Sequence, residues 1–301
     1  MTSPFGILNL NKPPGITSRD AVNVVQRLVR PAKVGHAGTL DPMASGVLLI
    51  CVGPATRLIS LIQQAPKTYL AEFKFGHTSD TDDSTGKLTP VDFVCRPTRE
   101  DVDDALVKYG GEIEQVPPDY SAVKVKGQRS YKLARDGQAV ELRAKTVTIH
   151  EIKVLNYDWP TLTLSIECGS GTYIRSLARD LGKDLGVGGL MSDLQRTRIG
   201  QFSVADGICP DDINAESLPD ALQNPIRVVG RLPQYLCSPQ DEIEILAGRR
   251  VSVDSARMKQ GDGTTVALVD QAQASLLALA EFAGKKSLQP RQVFAVARPS
   301  S

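Results

Sequence analysis

Four stretches of the chain carry side chains that could do chemistry. Residues 33–49 hold glycines at 35, 38 and 46, a histidine at His36 and the Asp41-Pro42 step. They lie between a helical pattern and an apolar run, which puts Asp41 at the mouth of a buried strand. Glycine costs chain entropy and lets a ligand approach the backbone closely. Asp-Pro and Gly also punctuate ordinary turns, and on composition alone a turn is the commoner reading. In residues 169–175, Arg175 falls in the first turn of an amphipathic helix. A cation there opposes the helix dipole, and an anionic partner would offset this; a solvated arginine is the plainer alternative. Tyr69 opens an alternating run whose same-face residues Ala71, Phe73 and Phe75 are apolar. It reads as a core tyrosine, or as a ring stacking on a nucleobase, worth about 1–3 kcal/mol per base. Residues 121–145 set Lys124, Lys126, Arg129, Lys132, Arg135, Arg143 and Lys145 against Asp136 and Glu141, with Tyr120 and Tyr131 in or beside them. Basic residues interleaved with aromatics suit a phosphate backbone with exposed bases, and a solvated face is the alternative.

Other clusters are set aside. The acidic run 80–86 has its glycine one place late for a calcium loop, and Val91 stands where the twelfth-position glutamate belongs. His36, His77 and His150 are isolated, and Cys51, Cys95, Cys168, Cys209 and Cys237 form no CxxC pair. Neither a metal site nor a disulfide framework is expected.

The elements that must position these residues follow from periodicity. Residues 6–12 read as a strand ended by Pro13-Pro14-Gly15, and 17–29 as a helix capped by Thr17 or Ser18. A loop is expected over 33–46 and a buried strand over 47–52. Residues 69–75 alternate cleanly, as do 162–168. The apolar phase of 146–155 slips near His150, which predicts a bulge. Helices are expected over 98–109 and 174–185. Strands and helices mix without a βαβ rhythm, so the fold class is α+β with a mainly antiparallel mixed sheet. A proline-rich, polar stretch over 218–239 suggests a boundary, with domains 1–233 and 234–301. The second should hold a helix at 241–247 and strands at 265–269, 276–282 and 293–297, together a small barrel.

The 301 residues carry a net charge of only +1, so bulk charge gives no support to a nucleic-acid partner. No secretory signal and no run long enough to span a bilayer is seen, and a cytoplasmic setting is expected.

Taken in order, these segments resemble the TruB family of pseudouridine synthases. Lys12-Pro13-Pro14-Gly15-Ile16-Thr17-Ser18 is similar to the family's opening motif. The run from Gly35 through Asp41-Pro42 to Leu48 resembles its catalytic motif almost residue for residue. Lys67-Thr68-Tyr69, Asp80-Thr81-Asp82-Asp83 and Gly171-Thr172-Tyr173-Ile174-Arg175 resemble three more. The match covers roughly residues 5–210 and fades beyond. The resemblance implies that Asp41 is the essential carboxylate and that Arg175 pairs with it, keeping it ionised. Tyr69 would stack on the uracil and help move a proton at C5. Tyr173 and Leu194 would pack around a flipped base, and His36 would hold the substrate loop. Lys12 and Asp83 would support the site. Residues 121–145 would form an inserted thumb, with Lys124, Lys126, Arg129, Lys132 and Arg135 on RNA. Uridine 55 in the tRNA T-loop is the implied substrate, with no cofactor, a monomeric enzyme, and a PUA-like domain at 234–301. A non-catalytic RNA-folding protein and a synthase acting on another RNA are the alternatives.

Overall fold

The computed structural model describes residues 4–120, 124–125, 128–129, 142–253, 263–272, 274–284 and 286–294. Its N-terminal strands are β1 (Gly6–Lys12), β2 (Val34–His36), β3 (Ser45–Val52), β4 (Lys67–Phe75), β5 (His77–Ser79), β6 (Leu88–Pro90) and β7 (Gly111–Gln115). Then come the short β8 (Lys124–Val125) and β9 (Gln128–Arg129), followed by β10 (Lys145–Asp158), β11 (Thr161–Cys168), β12 (Gly189–Ile199) and β13 (Phe202–Ser203). The last five are β14 (Gln234–Cys237), β15 (Val251–Ser252), β16 (Thr265–Asp270), β17 (Leu276–Phe282) and β18 (Ser287–Val293). The helices are α1 (Ser18–Val29), α2 (Ile59–Gln64), α3 (Arg99–Val107), α4 (Ile174–Asp184), α5 (Leu218–Ala221) and α6 (Pro239–Leu246).

A nine-stranded sheet runs β1-β3-β12-β4-β11-β10-β7, with β2 on β3 and β13 on β12. Every pairing is antiparallel except that of β12 with β3. The apolar run of β3 is buried on both faces. Leu48, Ile50 and Val52 face a core shared with α1 and α4, while Val47, Leu49 and Cys51 face a second core. β4 instead buries Ala71, Phe73 and Phe75 and leaves Leu70 and Lys74 exposed, so its residues alternate. The bulge expected near His150 is present as a register shift between Ile149 and Glu151.

Thr17 starts α1 through a capping box with Asp20, and Thr98 starts α3 through one with Asp101. Two expectations are corrected. The loop predicted over 33–46 begins with β2, whose three residues are too few to show a period. β12 was not foreseen, because two register shifts, at Met191/Asp193 and Arg196/Arg198, break its alternation.

The second sheet runs β14-β16-β17-β18-β15, and β14 pairs β16 in parallel. Its core gathers Cys237, Val266, Ala280 and Leu288 with Ile245 of α6, consistent with a PUA-like module. The strand expected over 293–297 is corrected to β18, six residues earlier at its start; residues 295–297 lie outside the described residues. The two sheets are not separate bodies. Ala267, Val269, Leu276 and Phe294 join Ile7, Val47 and Leu49 in one apolar cluster. Phe5 stacks on Phe294, and Arg57 Nη1 donates to the Val293 carbonyl at 2.8 Å.

Candidate active site

Asp41 sits in the turn between β2 and β3, and that turn is held mostly by its own carbonyls. Ser18 Oγ, on the first residue of α1, donates to Leu40 O at 3.0 Å and accepts from Leu40 N at 2.9 Å. Lys12, fully buried, donates from Nζ to Pro13 O and Ile16 O at 2.8 Å and to Pro42 O at 3.3 Å. Arg196 of β12 donates from Nε to Val47 O at 2.7 Å, from Nη2 to Gly38 O at 3.0 Å and from Nη1 to Thr39 O at 3.4 Å. A buried carbonyl left unpaired costs about 1–3 kcal/mol, so these donors hold the loop in one conformation. Gly46, at φ 100°, lies where β3 meets β12. A β-carbon there would stand 2.2 Å from the Arg196 carbonyl, so only glycine fits.

Arg175 joins two carboxylates. Its Nε lies 3.1 Å from Asp41 Oδ2, and its Nη1 lies 3.4 Å from Asp83 Oδ2. Nη1 and Nη2 also donate at 3.1 Å to Thr81 O and Tyr120 O. The two anions offset the cost of a cation at the start of α4. Asp83 is itself fixed: its Oδ1 accepts from Thr81 Oγ1 at 2.7 Å, Thr85 Oγ1 at 2.6 Å and Thr85 N at 3.0 Å. One turn along α4, Arg179 takes Asp82 at 2.8 Å. Asp82 and Asp83 of the acidic run thus pack under the site, while Asp80, Ser84 and Thr85 stay exposed.

Burial raises the Asp41 pKa, and the Asp83 charge adds to this; Arg175 and Lys12 pull it down without prevailing. Arg175 does pull this carboxyl down as expected, but the expected net lowering is corrected to a rise, because desolvation outweighs the guanidinium. Burial also raises the Tyr69 phenol, opposed by the charge of Arg196 across the strand pair. Lys12 and Lys67 are both lowered to about 8, chiefly by desolvation and in part by the Arg196 charge.

These groups open on a cleft of about 650 Å³. Asp41, Tyr69, Tyr173, Arg175 and Leu194 all line it, as do Lys67 and Arg196. Tyr69 is half-buried rather than a core ring. It lies opposite Ile166 on one side and Arg196 on the other. Lys12 and Asp83 stand behind the wall. His36 is not among the lining residues; it pairs with Ile50 in β2, and burial lowers its pKa. Of the residues expected on a thumb, Lys124 and Arg129 fall on the short β8–β9 pair, while Lys126, Lys132 and Arg135 lie outside the described residues. Arg196 and Lys67 are the site residues that composition and periodicity did not single out. Lys67 was visible in the Lys67-Thr68-Tyr69 motif, two residues before Tyr69 on the same strand face, without a role of its own. Among the described residues no group of three or more His, Cys, Asp or Glu could hold a metal ion, and no helix is long and apolar enough to cross a membrane.

The sequence models of the TruB family of pseudouridylate synthases match this chain over residues 26–174 for the N-terminal domain and 175–226 for the C-terminal domain. A tRNA pseudouridine synthase B from Dehalococcoides mccartyi is 40% identical over 296 residues, covering 96% of each chain. The chain belongs to the TruB family. Another relative of the same name, from Thermobifida fusca, is 40% identical over 93% of this chain and 99% of its own. One from Clostridium kluyveri is 44% identical over 71% of this chain and 73% of its own. The TruB fold here is shared with a chain of a solved Cbf5–Nop10–Gar1 complex, at a TM-score of 0.74 and 26% identity, covering 97% of this chain and 85% of that one. The boundary between the two TruB family models, at 174/175, falls inside α4 and is not a boundary of the fold.

Proposed function

We propose that this TruB family enzyme isomerises uridine 55 in the T-loop of tRNA, with Asp41 as its carboxylate. The observation that carries this reading is the Asp41–Arg175–Asp83 chain opening on a cleft beside Tyr69. The names of the relatives supply tRNA as the substrate class.

The reaction breaks the N1–C1′ bond, turns the uracil and joins C5 to C1′. The proton on C5 is lost and N1 regains one, so no net oxidation or group transfer occurs and no cofactor is required. A carboxylate serves by adding to the base, by adding to the sugar, or by abstracting a sugar proton. Each route needs Asp41 ionised and correctly placed. Arg175 does both: its charge opposes the desolvation of Asp41, and its contacts to Thr81, Asp83 and Tyr120 fix the direction of the ion pair. Extruding the base costs on the order of a few kcal/mol. Stacking on Tyr69, with Tyr173 and Leu194 packed around the base, would offset that. Arginines and lysines in 121–145 would close on the T-arm, and His36 would help hold the loop of the RNA. Residues 1–233 would form the catalytic domain and 234–301 an RNA-binding domain, acting as a monomer in the cytoplasm.

The test uses the purified protein on an unmodified tRNA transcript and on an isolated T-arm hairpin, with pseudouridine mapped by mass spectrometry. Modification at position 55 alone is expected in both. Modification elsewhere, or a requirement for a guide RNA, would overturn the assignment.

A further inference from the structure

Arg196 has an unusual set of partners. It is 2% exposed and stands on β12 at the one parallel junction of the sheet, opposite Gly46 on β3 and Tyr69 on β4. Its guanidinium serves no carboxylate in an ion pair among the described residues. Instead it spends its donors on the carbonyls of Gly38, Thr39 and Val47, which bracket Asp41, and it stands directly across the strand pair from Tyr69 on the wall of the same cleft. A buried cation facing only neutral acceptors is expensive. Ordinary strand pairing would have satisfied the Val47 carbonyl without one, as the Ala37 N–H at the end of β2 does further along β3 for Leu49 O at 2.9 Å. A planar fork with five donors can hold a loop and face a phenol at once, which an ammonium on a flexible stem cannot.

We propose that Arg196 is a positioning residue for the isomerisation, fixing the Asp41 loop and the Tyr69 hydroxyl with a single guanidinium so that the two keep their mutual geometry while the base turns. The proposal rests on the reading of Asp41 and Tyr69 given above. Arg196 does not touch the reacting atoms; it acts through both of them. The two ends of the site sit on different elements, the β2–β3 turn and β4, and side chains on a turn and a half-buried ring have room to drift independently. Displacement of about 1 Å costs roughly 100-fold in rate, so one rigid link between them is a catalytic device rather than a packing detail. The same guanidinium favours the ionised phenol of Tyr69, so its loss changes the response to pH as well as the rate.

The experiment measures single-turnover pseudouridine formation and tRNA affinity for Arg196→Lys and Arg196→Gln, alone and combined with Tyr69→Phe, with melting temperatures alongside. The expected result is a loss of roughly 100-fold in the rate constant, with tRNA affinity within about threefold and the fold retained. In the glutamine variant any limb of the pH–rate profile that follows Tyr69 ionisation moves to higher pH. Losses from Arg196→Lys and Tyr69→Phe should be far from multiplicative, because the two residues act as a unit. A rate within threefold of wild type would overturn the proposal, as would a loss confined to tRNA affinity, multiplicative losses, or failure of both single variants to fold. Asp41→Asn run in parallel separates the two levels: an inactive Asp41→Asn with a near-normal Arg196→Lys defeats only this inference, whereas an active Asp41→Asn defeats the reading beneath it.

Discussion

The Asp41 cleft and the C-terminal sheet are stabilised in opposite ways. Around the cleft, Lys12, Lys67, Asp83, Arg175 and Arg196 are all buried. Among the described residues of the C-terminal sheet, Asp270 is the one buried charged side chain, and it caps the turn at Ala274 and Ser275. The ion pairs of that region lie outside, as Arg291–Glu281 does with side chains 60% and 39% exposed. Buried charge costs several kcal/mol per ion unless fully paired, and apolar burial achieves stability more cheaply. The C-terminal sheet takes the cheaper route. The cleft carries the cost, and what it gains is position: each buried cation there ends on a carbonyl or carboxylate of the Asp41 loop or its supports, except Lys67, which donates to Gln63 O.

Among substitutions that probe this contrast, the largest effect should come from Arg175→Met, which strands Asp83 and Asp41 without their cation. A loss of at least about 1000-fold in rate is expected, with a stability cost of roughly 3 kcal/mol; a near-normal rate would erase the contrast with the C-terminal sheet. Leu288→Ala truncates a fully buried side chain in that sheet. It should cost about 2–5 kcal/mol of stability yet leave the single-turnover rate at saturating tRNA unchanged, as denaturant melts and rate measurements would show.

Lys67→Met sharpens the comparison through pH. Its folded pKa is lowered from 10.5 to about 8, so below 8 the folded state carries a full penalty for the charge. That penalty fades as pH rises from 8 to 10.5, where the unfolded chain still holds the proton that the folded chain has released. The methionine variant should therefore be more stable than wild type at pH 7, by up to roughly 3 kcal/mol, and lose that advantage by pH 10.5. A gap that does not close would show that Lys67 is not desolvated. The smallest effect is expected from Arg291→Ala, whose exposed pair should be worth under about 1 kcal/mol in a urea titration.

How much of this was legible in the chain depended on how local the signal was. β3 announces itself because burial on both faces writes a continuous apolar run, and the bulge at His150 because it shifts the apolar phase. Asp41, Tyr69 and Arg175 come from motifs short enough to recognise, and they do meet in one cleft. Arg196 left no such trace. Two irregularities hide the strand that carries it, and its partners are backbone carbonyls some 150 positions away, which have no residue identity to read. The net pKa of Asp41 was likewise hidden, since an adjacent arginine is visible in a motif and the extent of desolvation is not.

The central claim is that Asp41 is the reacting carboxylate, and Asp41→Asn on a tRNA transcript tests it most directly. The folded state holds the Asp41 proton more tightly than the unfolded chain does, so at neutral pH the ionised group weighs against folding, a cost absent in acid. The account therefore predicts that the asparagine variant binds tRNA, melts no lower than wild type at pH 7, and forms no pseudouridine. Pseudouridine made at the wild-type rate by that variant would contradict it.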